Sequence, residues 1–362
     1  MLGGDTMETI LNQIMYSELS LMNPATLTIA TLTTMMSLYL YFIQPSKLIQ
    51  AYFRVAVRWS GMRMKCTKPL NDGFIFSYGE KGNKVKGQMS ILLLHGFSAD
   101  HFMWASIVQN IPTSIHVIAV DLPGHGFTSD PQEGDDIGFT GQVHRVRQFL
   151  DLVDLARVPL HVVGVSMGGT LAGLFAADYP HLVGALTLTC PSMKTPIESR
   201  TIQENKKQVL QSGGLLTLDN CPMLPQTAQQ LQGMLDISHY FKVKYPQQIL
   251  KGAVELRKKK NDLYLQLVNY LISEESSVLL ENNLHRIKCS TQVIWGKEDW
   301  IVDISGVEVL RQKLADCKQI LIIEECGHAI NLDQPVLFAK AVLQFWILHH
   351  FQENMASNFS LT

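Results

Sequence analysis

Cysteine is sparse and scattered in this 362-residue chain. Its six cysteines, Cys66, Cys190, Cys221, Cys289, Cys317 and Cys326, show no paired spacing. That excludes a disulfide-framework scaffold and a cysteine-based metal centre, and leaves small apolar thiols in a reducing compartment. Charge is scarce too: 17% of residues are Asp, Glu, Lys or Arg and the net charge is -2. There is no electrostatic footprint for nucleic acid. No nucleotide fingerprint, metal-ligand spacing, internal repeat or low-complexity tract occurs, so no cofactor is expected. What abounds is apolar. Hydrophobic residues make up 46% of the chain and the mean hydropathy is +0.09.

Part of that excess is local. From Leu19 to Ser46 there is no Asp, Glu, Lys or Arg, and Pro24 to Ile43 is about the 20 residues a helix needs to cross a bilayer. Tyr39, Tyr41 and Phe42 stand near its end, where aromatic rings favour the headgroup level. A cleaved signal peptide fits less well, because no basic residue precedes the run and no small-x-small cleavage site follows it. Five threonines (Thr26, Thr28, Thr31, Thr33, Thr34) weaken the hydropathy and keep a shallow anchor open. Asp5, Glu8 and Glu18 precede the span; Lys47, Arg54, Arg58, Arg63, Lys65 and Lys68 follow it. The positive-inside rule therefore places the C-terminal part in the cytosol. As a helix, the next segment sets Lys47, Arg54 and Arg58 opposite Leu48, Ile49, Tyr52, Phe53, Ala56 and Trp59. Such a helix lies in the membrane interface or packs on the globular part, and Gly61 stops it.

Beyond it, short apolar runs alternate with helical stretches. Ser90–Leu94, His116–Asp121, Leu160–Val165, Ala185–Cys190, Thr291–Trp295 and Gln319–Ile323 read as strands buried on both faces of a mainly parallel, doubly wound sheet. Gly73–Tyr78 reads as an antiparallel edge strand. The rhythm breaks between Pro191 and about Arg286, a helical stretch that reads as an inserted cap. Its apolar residues, among them Leu215, Leu216, Met223, Leu224, Leu231, Met234, Leu235, Ile237 and Phe241, form the cap's own core or line an acyl tunnel. The Arg257-Lys258-Lys259-Lys260 run reads as a solvated helix end, with contact to anionic lipid as the alternative.

Sites in such sheets lie beyond the carboxyl ends of the strands. There stand His95-Gly96-Phe97-Ser98, Asp121-Leu122-Pro123-Gly124-His125-Gly126, Ser166, Gly296-Lys297-Glu298-Asp299, and Glu324 to His328. Ser166 occupies Gly164-Val165-Ser166-Met167-Gly168, a Gly-x-Ser-x-Gly elbow whose small residues permit a sharp strand-to-helix turn. A serine nucleophile needs a base, and the base an orienting acid. Ser166, Asp299 and His328 follow the chain order Ser, acid, His. Asp303 and Glu298 compete for the acid. His349 and His350 compete less well for the base, since a C-terminal helix places them on the surface or tail. His95 and His125 read as loop braces. The backbone N–H groups of Met167 and Phe97 are the candidate oxyanion donors.

Together these motifs, spread over residues 70 to 350, resemble the α/β-hydrolases, and within them the membrane-anchored monoacylglycerol lipases. The narrower resemblance runs through His95 to Ala99, Tyr245 to Leu250, Gln292 to Lys297 and Asp303 to Gly306. It implies an α/β-hydrolase fold with an inserted helical cap behind one N-terminal transmembrane helix. It implies a serine hydrolase of monoacylglycerols such as 2-arachidonoylglycerol, with lysophospholipids and bis(monoacylglycero)phosphate as further substrates, and an endosomal, lysosomal or plasma membrane location. By position it assigns catalysis to Ser166, Asp299 and His328 and the oxyanion hole to Phe97 and Met167. Val165 departs from relatives that carry a polar residue before the nucleophile. The partners implied are a lipid substrate and the bilayer; protein partners are unknown. The expected organisation is an extracytosolic tail (1–23), a signal-anchor helix (24–46), a basic amphipathic segment (47–69), a first core part (70–190), the cap (191–286), and a second core part with the tail (287–362). Ser166 disfavours epoxide hydrolases and dehalogenases, which use an aspartate there. A carboxylesterase or carbon–carbon hydrolase with another substrate, or a membrane-tethered binding protein, stays open.

Overall fold

The computed structural model describes residues 23–359, and side chains as far as His350. The tail expected over 1–23 falls, but for Asn23, outside the described residues.

Eight strands form one sheet: β1 (Arg63–Cys66), β2 (Ser77–Lys81), β3 (Ser90–Leu94), β4 (Val117–Val120), β5 (Leu160–Val165), β6 (Val183–Thr189), β7 (Ser290–Gly296) and β8 (Cys317–Ile323). Their order is β1-β2-β4-β3-β5-β6-β7-β8. From β4 to β8 every pairing is parallel, while β2 runs antiparallel to β1 and β4. Residues of β3, β4 and β5 are buried throughout, as helices on both faces require. The doubly wound α/β-hydrolase sheet expected from the sequence is the one observed.

One strand differs. The antiparallel strand begins at Ser77, not Gly73, and β1 covers it, so it is not the edge. Phe74 and Phe76 are buried core residues. Their carbonyls accept from Leu70 N–H and Thr67 N–H (both 2.9 Å), so this apolar stretch bonds back to the loop after β1. An apolar loop thus imitates the start of the strand. The true edge, β1, is exposed at every position, so no alternation betrays it.

The helices are α1 (Pro24–Ile43), α2 (Pro45–Trp59), α3 (Ala105–Val108), α4 (Phe139–Leu152), α5 (Met167–Asp178), α6 (Arg200–Gln211), α7 (Ala228–Ser238), α8 (Gln247–Lys258), α9 (Asn261–Leu271), α10 (Glu274–Asn283), α11 (Gly306–Lys313), α12 (Ile330–Asp333) and α13 (Pro335–Phe359). Helix α1 is long and apolar enough to cross a membrane, and none of it is buried. Its threonines do not spoil it. Thr28, Thr31, Thr33, Thr34 and Ser37 each donate to the carbonyl four residues back, at 2.7–2.9 Å, so these hydroxyls need no water.

Helix α2 splits its apolar face. Ile49 and Val57 are buried, and Pro45 lies so close to α8 that a Cβ on Gly252 would sit 2.5 Å from its carbonyl carbon. Tyr52 (67% exposed) and Trp59 (83%) point outward with Arg54 and Arg58. Helices α6 to α10 lie between β6 and β7 and carry small cores of their own. Leu216 and Leu224 pack with Tyr264, Leu267 and Val268; Leu231 packs with Leu250 and Val254. Leu215 and Phe241 are exposed.

Candidate active site

Strands β4 and β5 flank β3, so the sheet order reverses at β3. A crevice opens beyond strand ends at such a switch point. The loop after β3 carries Gly96 and Phe97, and the turn after β5 carries Ser166.

Ser166 adopts φ 57°, ψ −123° between β5 and α5. The glycines around it are steric necessities. A Cβ on Gly164 would lie 2.0 Å from the Gly168 carbonyl oxygen, and one on Gly168 would lie 2.2 Å from that of Leu94. The turn is pinned where the Ser166 carbonyl accepts from the N–H groups of Gly169, Thr170 and Ser192 (2.8–3.1 Å). Five non-glycine residues among those described have positive φ, and four of them, Ser98, Ser166, Cys190 and Glu325, follow β3, β5, β6 and β8. Left-handed backbone costs on the order of 1–3 kcal/mol per residue and persists where surrounding structure enforces it. Its concentration at one end of the sheet marks that end as the working face.

His328 Nδ1 lies 2.7 Å from Asp299 Oδ2. The other carboxylate oxygen, Oδ1, accepts from Ile301 N–H (2.8 Å) and Val302 N–H (3.0 Å), which fixes the acid. Burial disfavours a charged His328 ring, but the Asp299 carboxylate overrides it and holds the ring pKa well above the ordinary histidine range. The competitors are engaged elsewhere. Asp303 accepts from Ser305 N–H (2.8 Å) and Glu298 from Cys326 N–H (3.0 Å). His349 is not a surface residue: it is buried, with its ring 4.3 Å from that of Phe345. The His350 ring stacks on Trp346.

Beside these residues stands Cys190, which the motif reading passed over. Its thiol lies 3.7 Å from the His328 carbonyl oxygen, and burial pushes its pKa up, with His328, Asp299 and the Ser166 backbone around it. Ligand atoms of Cys190, Asp299 and His328 lie within 4.8 Å of one another, a donor set that a soft metal ion would accept. The protonated thiol and the His328–Asp299 hydrogen bond engage those donors without one. Cys190 sits one residue past β6, so the strand-end rule that found the others reaches it too.

The Gly96–Phe97 loop passes close to the serine: a Cβ on Gly96 would lie 3.3 Å from Ser166 Cβ. His95 braces the loop. Its Nε2 accepts from Leu122 N–H (2.9 Å), so Nδ1 carries the proton and donates to Gly96 O (2.8 Å). Burial lowers its pKa to about 4, which keeps the ring neutral. His125 donates to Pro123 O (2.9 Å), and burial lowers its pKa to about 3. Asp121 accepts from His101 N–H (2.7 Å), His101 Nδ1 (2.8 Å) and Phe127 N–H (3.2 Å). A Cβ on Gly126 would lie 2.2 Å from Asp121 Oδ2, which accounts for that glycine. Met167 is the first residue of α5, so its N–H has no carbonyl one turn back to bond. Phe97 packs on both the main core and a cap core, with its ring 5.6 Å from that of Tyr264.

The cap grips both sides of this site. Ser238 O at the end of α7 accepts from Ala329 N–H (2.9 Å), and the Asp333 carboxylate accepts from Gly327 N–H (2.9 Å) and Tyr240 N–H (2.8 Å). Arg257 corrects the reading of its basic run as a solvated helix end: its side chain turns inward and Nη2 donates to Ser98 Oγ at 2.7 Å. Lys260 pairs with Asp130, while Lys258 and Lys259 are exposed. A cleft of ≈ 530 Å³ between Asp130–Ile137 and α9 contains none of the candidate catalytic residues.

A family model for the alpha/beta hydrolase fold matches residues 90–335. "Monoacylglycerol lipase ABHD6" of Homo sapiens is 37% identical over 316 residues, 87% of this chain and 91% of its own. "Monoacylglycerol lipase abhd6-B" of Xenopus laevis is 38% identical over 309 residues, 84% of this chain and 88% of its own. A bacterial membrane phospholipase A superposes with a TM-score of 0.74 at 26% identity, over 91% of this chain and 99% of its own. These relatives bear out the resemblance read from the motifs. The family match opens at β3 and closes beyond His328, so it takes in Phe97, Ser166, Met167, Asp299 and His328, and the chain belongs to the α/β-hydrolase fold family.

Proposed function

We propose that this protein is a membrane-anchored serine hydrolase that cleaves monoacylglycerols to fatty acid and glycerol through an acyl-enzyme on Ser166. The observation that carries the reading is the Asp299–His328 hydrogen bond of 2.7 Å at the same sheet end as the strained Ser166 turn. His328 takes the proton as Ser166 Oγ attacks the ester carbonyl, and the Phe97 and Met167 N–H groups receive the oxyanion. The imidazolium then protonates the departing glycerol oxygen. Water, deprotonated by the same ring, releases the fatty acid and restores Ser166. The monoacylglycerol lipases at 37–38% identity support the substrate class. Helix α1 and the basic residues after it support a single-pass type II anchor with the hydrolase in the cytosol. Tethering keeps the site at a surface where a monoacylglycerol partitions and concentrates.

The test is fatty-acid release from a monoacylglycerol panel by membranes carrying wild type or Ser166→Ala. Loss of the nucleophile should lower turnover by roughly a million-fold. Near-wild-type activity in the purified variant would sink the assignment. Inactivity of both, with fluorophosphonate still labelling Ser166 in wild type, would keep the hydrolase and discard the substrate.

A further inference from the structure

We propose that Arg257 of the cap is a positioning residue that sets the oxyanion loop by holding Ser98. The inference rests on the hydrolase reading above. Arg257 Nη2 donates to Ser98 Oγ (2.7 Å) and to Met223 O (3.1 Å), so one guanidinium nitrogen ties the loop after β3 to a cap loop. Ser98 directly follows Phe97 and stands at φ 56°, in a turn closed by Ala99 N–H donating to Gly96 O (3.3 Å). An L-residue in that conformation relaxes unless its neighbours hold it, and the Oγ contact is such a hold. Relaxation there would turn the Phe97–Ser98 peptide and shift Phe97, whose own N–H, one peptide earlier, is the candidate donor.

The chemistry of Arg257 favours a built device over a chance contact. Its partners among the described residues are Ser98 Oγ, Met223 O and Met234 Sδ, none of them a carboxylate, and its buried Nε has no partner. Burial pulls its pKa down from the ordinary arginine value. A crowded guanidinium without a counter-ion is costly, so packing alone is a poor reason to place an arginine there. Its position is consistent with an inward role: Leu250, Val254 and Arg257 share one face of α8, and the first two are buried. The Phe97–Tyr264 contact gives the cap a second grip on the same loop. Gly96 carries any shift of the loop toward Ser166 Cβ. The cap thus holds the oxyanion loop at two points, Ser98 and Phe97.

The experiment uses the full-length protein in detergent micelles, with Arg257→Met, Arg257→Lys, Ser98→Ala and the Arg257→Met/Ser98→Ala double variant. Steady-state kinetics on a monoacylglycerol and a soluble short-chain ester are read beside Ki for an alkyl trifluoromethyl ketone, which Ser166 converts to a tetrahedral oxyanion adduct. Displacing one oxyanion donor should lower kcat by about 10- to 100-fold on both substrates, with KM within about threefold. The ketone Ki should weaken by the same factor, and the double variant should lose no more than the worse single. Unfolding temperatures separate misfolding from misalignment, and Ser98→Ala tests the same bond from the core side should the arginine variants fail to fold. Unchanged kcat and Ki in folded variants, a loss confined to KM, or additive losses would overturn the proposal. A wild type without Ser166-dependent hydrolysis would instead overturn the function it rests on.

Discussion

Asp299→Asn is the sharpest test of the acid assignment, because the geometry dictates how it fails. The carboxylate accepts on both oxygens: Oδ1 from Ile301 and Val302 N–H, Oδ2 from His328 Nδ1. An asparagine has one acceptor oxygen. Turned toward the two backbone N–H groups, it presents its NH₂ to the ring, so Nδ1 must become the acceptor and Nε2 the proton carrier. Nε2 then cannot take the Ser166 proton. Turned the other way, it leaves two buried N–H groups facing an NH₂, at about 1–3 kcal/mol each, so the first orientation wins. The wrong tautomer should cost about 10⁴-fold in kcat, or about 5.5 kcal/mol of transition-state stabilisation. The pH profile should move as well. In wild type, activity falls as pH drops through the raised His328 pKa, because the protonated ring is no base. Without the carboxylate, burial acts unopposed, and this acid limb should shift to lower pH. Fatty-acid release from a monoacylglycerol across pH reads both effects. Asp303→Asn is the control, since Asp303 only caps Ser305 N–H. A rate for Asp299→Asn within tenfold of wild type, or a worse loss for Asp303→Asn, would refute the reasoning.

Gly168→Ala sets a methyl 2.2 Å from Leu94 O and 2.4 Å from His95 O; it should cost about 3 kcal/mol by overpacking and abolish labelling at Ser166, read by denaturant melts and fluorophosphonate gels. Acid should destabilise the domain through His95, His125 and His161, whose folded pKa values burial lowers to about 4, 3 and 3. Their folded pKa values are depressed, so full stability holds above the unfolded value near 6.5 and drains away toward pH 4, on the order of 3 kcal/mol per ring. His328 works with opposite sign: its contribution is complete below 6.5 and is lost as pH rises through its raised folded pKa. Urea melts at pH 7 and pH 4.5 should show the net loss, and equal midpoints would contradict the buried neutral rings. Removing residues 1–43 should release the protein from vesicles in flotation while sparing activity on a soluble ester. Removing residues 1–59 should cost a further ~4 kcal/mol, because Ile49 and Val57 leave their packing.

The sheet and the residues brought together at its end were legible because their signals are local. Ser166, Asp299 and His328 each stand just past a buried strand, and the glycines near Ser166 are demanded by contacts within a few residues or to an adjacent strand. What escaped depends on contacts distant in sequence. Arg257 belongs to a run of four cations, and the run hides which one turns inward. The clue was periodic: Leu250 and Val254 sit seven and three residues earlier on the same face. His349 is hidden likewise, because a C-terminal helix reads as a tail, whereas this one packs on the sheet with Phe345, one turn before His349, against His161 of β5. The β1 strand left no alternating apolar pattern, since every residue is exposed and it is held by backbone pairing and the Lys65–Glu80 ion pair.

The cap is more than a lid added to a finished site. Asp333 accepts from Gly327 N–H in the core and from Tyr240 N–H in the cap. Gly327 is hemmed in as well: a Cβ there would lie 2.7 Å from Ser238 O and 3.0 Å from Tyr240 N. Ser238 O takes the N–H of Ala329. His328 thus sits between two residues whose backbones are bonded into an arrangement that includes the end of α7. Excising residues 191–286 would remove the Ser238 and Tyr240 partners and leave the Ala329 N–H without its acceptor. It would also loosen the loop that presents His328 to Ser166. A capless protein should therefore lose turnover on small soluble esters too, and not only its discrimination among acyl chains.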